Sequence, residues 1–488
     1  MPYIYTAFIS IFFSLFCHAE QSLVILQTTD IHSAIFDEDS KDSASWLRMS
    51  SKIKDLRQGY GAENTLLIDC GDTIQGSLSA SISRGEDAIT ILNHLNYDAW
   101  VPGNHELDFG SHRFLELCKQ TQIPVLSANF EFIPKDAFEF QAFRSYQRAG
   151  KKIIVIGMQA SFLHYWSTGS QFSNCRVWSA KSELMKIMPT ILEQDADLII
   201  LALHQGLAFR DDRKVNEVLE IAKLFPEIHL ILGGHTHREF PAELISNGVL
   251  YTQAGAHAKS LAKINIEFPK NSPPVIQPEL IGINQNTALD PVALRLVQKT
   301  HRELTTQLTY PITHLESDLK AAKVGVNCRI SHLIGHAILK ASSADIAIHG
   351  RLSSSSLKKG PVGERELFGI IPYENDLFTA QVSVEELKLV MNEQMNFQKS
   401  YSFNAPVNFS YNHLEQSITL KPELRNKEKL TLCINSRVAA SGGKRFPVLK
   451  NIISQPSAQL KELPIKTRDA VRQQLQRGVP NFEATLIF

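Results

Sequence analysis

The sequence predicts an α/β fold in two units, a larger N-terminal layered α/β unit followed by a second, smaller α/β unit. Three observations lead there. Short apolar runs rich in Val, Ile and Leu recur from residue 23 onward, each followed by a polar loop and a segment of helical character, which is the pattern of strands buried on both faces. The 488 residues, 43% of them apolar, exceed what one core commonly holds and suffice for two. The stretch 271–278 (NSPPVIQP) interrupts the pattern before it resumes.

Taken in order, residues 4–17 (IYTAFISIFFSLFC) form an apolar run too short for a comfortable membrane span, with small Ala19 close behind. Residues 1–19 therefore read as a signal peptide, and the mature chain as exported, to the periplasm or the extracellular space. No later run reaches membrane-helix length, so no transmembrane anchor is expected after cleavage. Strands are expected at 23–28, 65–69, 123–127, 152–157, 197–203 and 228–232 in a first domain spanning 20–285. Residues 290–308 then read as a helix with Asp290 as N-cap and Pro291 at its first position, within a linker at 286–310. The second domain, 311–488, opens with a helix at 329–342, a strand at 344–348, a serine-rich loop at Ser353–Ser356 and a helix from Ser383 to about Met395.

Charge narrows the partner. Lys and Arg number 50 and Asp and Glu number 50, so there is no excess cation to hold a nucleic-acid polymer, and a small molecule is the expected ligand. The cysteines left after cleavage at Ala19 (Cys70, Cys118, Cys175, Cys328 and Cys433) are widely spaced with no CxxC pair, and read as mostly buried free thiols.

Polar clusters follow the apolar runs: TTDIH, CGDTIQG, PGNHELD, LHQG and GGHTH. In open α/β sheets the loops at the carboxyl ends of strands meet on one edge, so these clusters are expected to converge. Asp30 and His32 alternate around Ile31, and if the strand continues through them both side chains point the same way. His235 and His237 repeat the spacing. Asp72, Asn104 and His204 add a carboxylate, an amide and an imidazole. Seven oxygen and nitrogen donors are too many for one four-coordinate ion and suit two divalent ions sharing a carboxylate. The absence of thiolate points to Zn, Mn, Fe or Co rather than Ca²⁺ or an iron–sulfur centre. Paired ions of this kind serve phosphoester hydrolysis, offsetting phosphoryl charge and generating hydroxide.

The order D-x-H, GD-x-x-x-G, GNHE-x-D, H-x-G, GHTH resembles the calcineurin-like metallophosphoesterases. With GNHELDFG and the second domain, about residues 23–455 resemble the secreted 5′-nucleotidase family, which includes UDP-sugar hydrolases and 2′,3′-cyclic phosphodiesterases. The resemblance implies a metallophosphoesterase sandwich followed by a specificity domain. It further implies that Asp30, His32, Asp72 and His237 hold one ion, that Asp72, Asn104, His204 and His235 hold the other, and that Asp72 bridges. His105 would be the catalytic histidine, oriented by Asp108. In the second domain Arg329 (NCRIS) would contact phosphate, Tyr373 and Asn375 (PYEN) match the family's PFGN motif, and Phe446 (SGGKRF) matches the aromatic of GGDGF, so that Tyr373 and Phe446 would stack a planar group.

Two motifs depart from that pattern. HGRLSS at 349–354 stands where the family has NGGGIR, and Lys444-Arg445 replace the Asp-Gly of GGDGF. A lysine only donates hydrogen bonds and cannot accept them from ribose hydroxyls. Specificity for a more anionic or non-nucleoside ester is one expectation, and another is that of a cyclic phosphodiesterase, a UDP-sugar hydrolase or a sulfur-ester hydrolase. A binding protein of weak catalytic power, from a different class, stands against these readings.

Overall fold

The computed structural model describes residues 22–37, 44–165, 168–169, 172–208, 215–321, 328–400, 402–480 and 486–487. The expected signal peptide lies outside the described residues. Two sheets stack in the N-terminal half. The first runs Val275–Gly282, Ser260–Glu267, Leu23–Thr28, Thr65–Asp69, Ala99–Trp100, and the second Glu239–Leu244, Leu250–Ala254, Leu230–Leu232, Leu198–Leu203, Lys151–Met158, Phe143–Arg148.

The strand Leu23–Thr28 shows why its run is apolar throughout. Leu23 and Ile25 point between the sheets, where they meet Ile68, Val155, Ile200 and Ile264. Val24 and Leu26 point outward onto a cluster with Trp46, Ile53, Leu92 and Phe114, which lie on or beside the helices Trp46–Tyr60, Glu86–His94 and Ser111–Gln120. The outer face of the second sheet is covered by Ala180–Leu192 and Val218–Leu224. The result is a helix–sheet–sheet–helix sandwich in which both faces of each central strand are dry.

A five-stranded mixed sheet forms the smaller unit, in the order Ala405–Val407, Ile346–His349, Leu430–Asn435, Asp376–Val382, Lys461–Lys466. Arg329–Ser342 and Thr467–Arg477 pack on one face; Val384–Met395 and Pro447–Ile453 pack on the other. Ser383 caps its helix through a reciprocal pair with Glu386, a stop-and-start signal readable in the sequence.

Three expectations are corrected. The strand at 123–127 is reduced to isolated bridges, Trp100 to Val125 and Leu126 to Gln141, and Pro124 within it has no N–H to extend a ladder. The helix at 290–308 is two helices, Pro291–Leu296 and Gln298–Thr309, broken at Val297. Ala293, Val297 and Leu304 are buried in the N-terminal core, so this stretch packs as part of the larger unit rather than spanning free between two. The Asp290 cap is present, its carboxylate accepting from the amides of Val292 and Ala293. Cys70, Cys118, Cys175, Cys328 and Cys433 are free, and all but Cys175 are buried. No helix among the described residues is long and apolar enough to cross a membrane.

Candidate active site

Five strands of the two sheets end at one edge, and the residue clusters that follow them meet there. Strand Leu23–Thr28 has already ended when Asp30 and His32 occur, which corrects the alternation argument. Both adopt left-handed backbone (φ 51° and 53°), as do Asp72, His235 and His237 (53°, 72° and 58°). Such conformations cost of order 1–3 kcal/mol each and persist where the surroundings over-determine them. Here the amides of Asp30, His32 and Ser33 donate to the carbonyls of Gly71, Asp72 and Thr73, each at 2.8 Å. The two loops thus lie side by side and aim their side chains at a common point.

Two donor groups result. Asp30, His32, Asp72 and His237 offer ligand atoms within 4.8 Å of one another, and so do Asp72, His204 and His235. Asn104 joins the second group, its Oδ1 2.7 Å from His235 Nδ1. His32 Nε2 and His237 Nε2 approach to 2.9 Å. The far ring nitrogens are tied down: His32 Nδ1 donates to the carbonyl of Gln75 at 2.7 Å, and His204 Nδ1 to that of Cys70 at 2.6 Å. That leaves Nε2 of each ring with its lone pair toward the site, as metal-ligating histidines require.

His204 supplies the test of fit. Its Nε2 is buried without a hydrogen-bond partner, yet stands 3.1 Å from Asp72 Oδ2. Two lone pairs converge on one point, and a cation between them reconciles the geometry. A proton on Nε2 would meet the same demand: burial opposes a charge on His204, but Asp72 and Asp30 lift it to about 10. Burial likewise works against the Asp72 carboxylate, while His204 and His105 hold it well below the usual range. The site demands positive charge beside Asp72, and a divalent ion fits that demand.

His105 lies on a short 3₁₀ turn directly after Asn104. Its amide donates to Asp72 Oδ1 at 2.8 Å and its Nδ1 to Asp108 Oδ2 at 2.7 Å. Burial would lower it, but Asp108 and Asp72 raise it to about 9. The ring of Tyr373, from the second unit, stacks on it at 4.6 Å and 20°.

Glu106 was not singled out by sequence reasoning, although it stands inside GNHELD. It is fully buried and accepts from the amides of Asp72, Thr73, Ile74 and Gly103, binding the two loops that carry Asp72 and Asn104. Gly103 is obligatory there: a Cβ would stand 2.3 Å from Asp72 Oδ1. His257 was also missed. Its amide donates to the Asp30 carbonyl at 2.8 Å and its ring lies 5.2 Å from that of His32; GAHAK carries no spacing signal that would have found it.

The second-unit residues are distributed differently from expectation. A cavity of about 260 Å³ is lined by Asp72, Asn104, His105, Tyr373, Asn375 and Arg437, among others. Arg329 is exposed and does not line it, its guanidinium 3.4 Å from the Asp318 carbonyl. Phe446 is 3% exposed, packs edge-on against Phe397 and lines a neighbouring cavity instead. Tyr373 and Phe446 therefore do not line a common slot in this arrangement. Lys444 does not line this cavity; its ammonium lies over the rings of Phe162 and Tyr165 at 5.0 and 4.6 Å.

Comparison with known proteins is consistent with this geometry. Residues 23–239 match the calcineurin-like phosphoesterase family, and residues 311–451 match the 5′-nucleotidase C-terminal domain. A 2′,3′-cyclic-nucleotide 2′-phosphodiesterase/3′-nucleotidase of Haemophilus influenzae is 24% identical over 60% of this chain and 51% of its own length. A snake venom 5′-nucleotidase of Gloydius brevicauda is 24% identical over 65% of this chain and 58% of its own length. The chain thus spans little more than half the length of these relatives. The crystal structure of a 5′-nucleotidase precursor from Thermus thermophilus superposes with a TM-score of 0.73 at 18% identity, covering 96% of this chain and 99% of that one, a likeness of fold.

Proposed function

Because the chain belongs to the calcineurin-like phosphoesterases that carry a 5′-nucleotidase C-terminal domain, we propose that it is a metal-dependent phosphoester hydrolase acting on a small phosphate ester, a nucleotide or a related compound. The observation that carries this reading is Asp72, whose carboxylate belongs to both donor groups. Asp30, His32, Asp72 and His237 would hold one divalent ion, and Asp72, Asn104, His204 and His235 the other. When bound, such ions offset charge on the phosphoryl oxygens and bring the ionisation of a water toward neutral pH.

The chain's own residues do the rest. Asp108 fixes the orientation of His105 through Nδ1, so that Nε2 is the atom left to hand a proton to the departing oxygen. Glu106 keeps the Asp72 and Asn104 loops in register. Tyr373 and Asn375 line the cavity from the second unit. The mixed oxygen and nitrogen donors favour Zn, Mn, Fe or Co.

A division into a larger unit at 20–285 and a smaller one at 311–488 is supported by the family matches at 23–239 and 311–451, with the stretch between them packed on the larger unit. Export is supported by the apolar run at 4–17 and Ala19.

Phosphate release after metal reconstitution, measured on a panel of nitrophenyl phosphate, AMP, a 2′,3′-cyclic nucleotide and a UDP-sugar, tests the reading. Turnover of at least one ester, abolished by a chelator and restored by a divalent ion, with two ions per chain at saturation, is the expected result. A chain that binds these compounds without turning any over would be a binding protein and would overturn it.

A further inference from the structure

Beside the cavity over the donor groups lies a second, smaller one, and Leu352 and Arg437 line both. Its volume is about 30 Å³, room for roughly two water molecules and too little for a nucleobase. Three arginines, Arg351, Arg437 and Arg445, line it, and no aspartate or glutamate does. Arg445 is tied to the Gly442 carbonyl at 2.6 Å. Arg351 and Arg437 differ: among the described residues neither guanidinium makes an ion pair or hydrogen bond, and Arg351 Nε is buried without a partner. Buried guanidinium nitrogens are ordinarily satisfied, and a planar fork of donors suits a carboxylate or phosphate group.

The remaining wall is neutral. Asn435 Nδ2 donates to His349 Nε2 at 2.9 Å, which places the ring proton on Nδ1, toward the Gly350 carbonyl. Arg437 also reaches the first cavity closely enough for its charge to act on the Tyr373 phenol, as do Asp72, Asp30 and Asp108. One cation therefore stands at the joint between the reacting centre and the small cavity.

We propose that the small cavity recognises a second anionic group on the substrate, so that the ester hydrolysed is a compact phosphomonoester bearing a carboxylate at its far end, read by Arg437 and Arg351. This rests on the phosphoester hydrolase reading and specifies its substrate class. The phosphoryl group then lies at the donor groups beneath Tyr373, and the distal anion lies where a neutral base would otherwise be sought.

The test uses two esters that differ in one charge, 3-phosphonooxypropanoate and 3-phosphonooxypropanamide, with AMP and nitrophenyl phosphate beside them. Wild-type protein loaded with Mn²⁺ or Zn²⁺ is expected to show a kcat/KM about 10- to 100-fold higher for the carboxylate than for the amide, the scale of a charge-assisted hydrogen-bonded pair. Arg437→Gln and Arg351→Gln are expected to bring that ratio toward one, and Arg437→Lys to retain part of it. Calorimetric binding of the matching phosphonates, 4-phosphonobutanoate and 4-phosphonobutanamide, reads the same preference without turnover. Equal kcat/KM and equal affinity for acid and amide, or AMP as the best substrate, would overturn the inference. Failure to hydrolyse any ester, nitrophenyl phosphate included, would instead overturn the hydrolase reading, while a phosphonate preference lost in Arg437→Gln would still stand for the anion site.

Discussion

Replacing Glu106 by glutamine strikes the loops behind the donor groups without touching a donor. Oε1 accepts from the amides of Thr73 at 2.6 Å and Ile74 at 3.3 Å, and Oε2 from those of Asp72 at 3.0 Å and Gly103 at 2.6 Å. In the Gln variant, whichever way the new amide turns, its NH₂ faces two backbone N–H groups, and donors cannot satisfy donors. Two buried amides left without a partner cost about 1–3 kcal/mol each, or about 2–6 kcal/mol together. Part of that strain is relieved by movement of the 71–74 loop, which carries Asp72 away from both donor groups at once. The expected outcome is a lower melting temperature together with weaker retention of both ions, measured by calorimetry and by metal analysis after dialysis against a metal buffer. A Glu106→Gln protein that melts as the wild type does and keeps two ions at unchanged affinity would refute the claim that this carboxylate holds the Asp72 loop.

Three further outcomes are expected. His105→Ala keeps its ions but loses on the order of 10²–10⁴ in kcat on alkyl phosphates and less on nitrophenyl esters, whose leaving group needs no proton; unchanged turnover of an alkyl phosphate would remove this histidine from the reaction. His349, which burial pushes down to about 4, is neutral in the fold, so stability is fully present above the unfolded value near 6.5 and is lost as pH falls from there toward 4, by up to roughly 3 kcal/mol; the stability difference between wild type and His349→Gln, read by denaturant titration, should change with pH in this window and stay constant above it. Lys444→Asp brings no gain in kcat/KM for AMP, because the side chain lies over Phe162 and Tyr165, and instead costs on the order of 1 kcal/mol of stability as the cation–π contacts go; a rise in AMP turnover relative to a nitrophenyl ester would contradict that placement.

Much of the donor cluster was legible because its signal is local: a buried strand must be apolar on both faces, so Asp, His and Asn directly after one stand out, and parallel strands bring such ends to one edge. What escaped was whatever depends on backbone handedness or on the other unit. Nothing in TTDIH tells a continuing strand from a left-handed loop, since both present Asp30 and His32 to the same point, and only the pairing with the 71–73 backbone decides between them. Motif position paired Phe446 with Tyr373 in one slot, whereas it packs edge-on against Phe397 and lines the neighbouring small cavity. Arg437 belongs to no motif, and lines both cavities from the short helix Ser436–Ala439. The break at Val297 has no proline or glycine to announce it.

The ring of Tyr373 on His105 sets a threshold for any planar leaving group. One face of the imidazole is taken by that ring, and a leaving group that stacked there would forfeit an aromatic pair worth about 0.5–1.5 kcal/mol. An alkyl ester has no use for that face and reaches His105 Nε2 without disturbing the stack. Two esters with the same phosphate chemistry would then be separated, before any bond breaks, by whether their leaving groups compete with the protein's own phenol for that face.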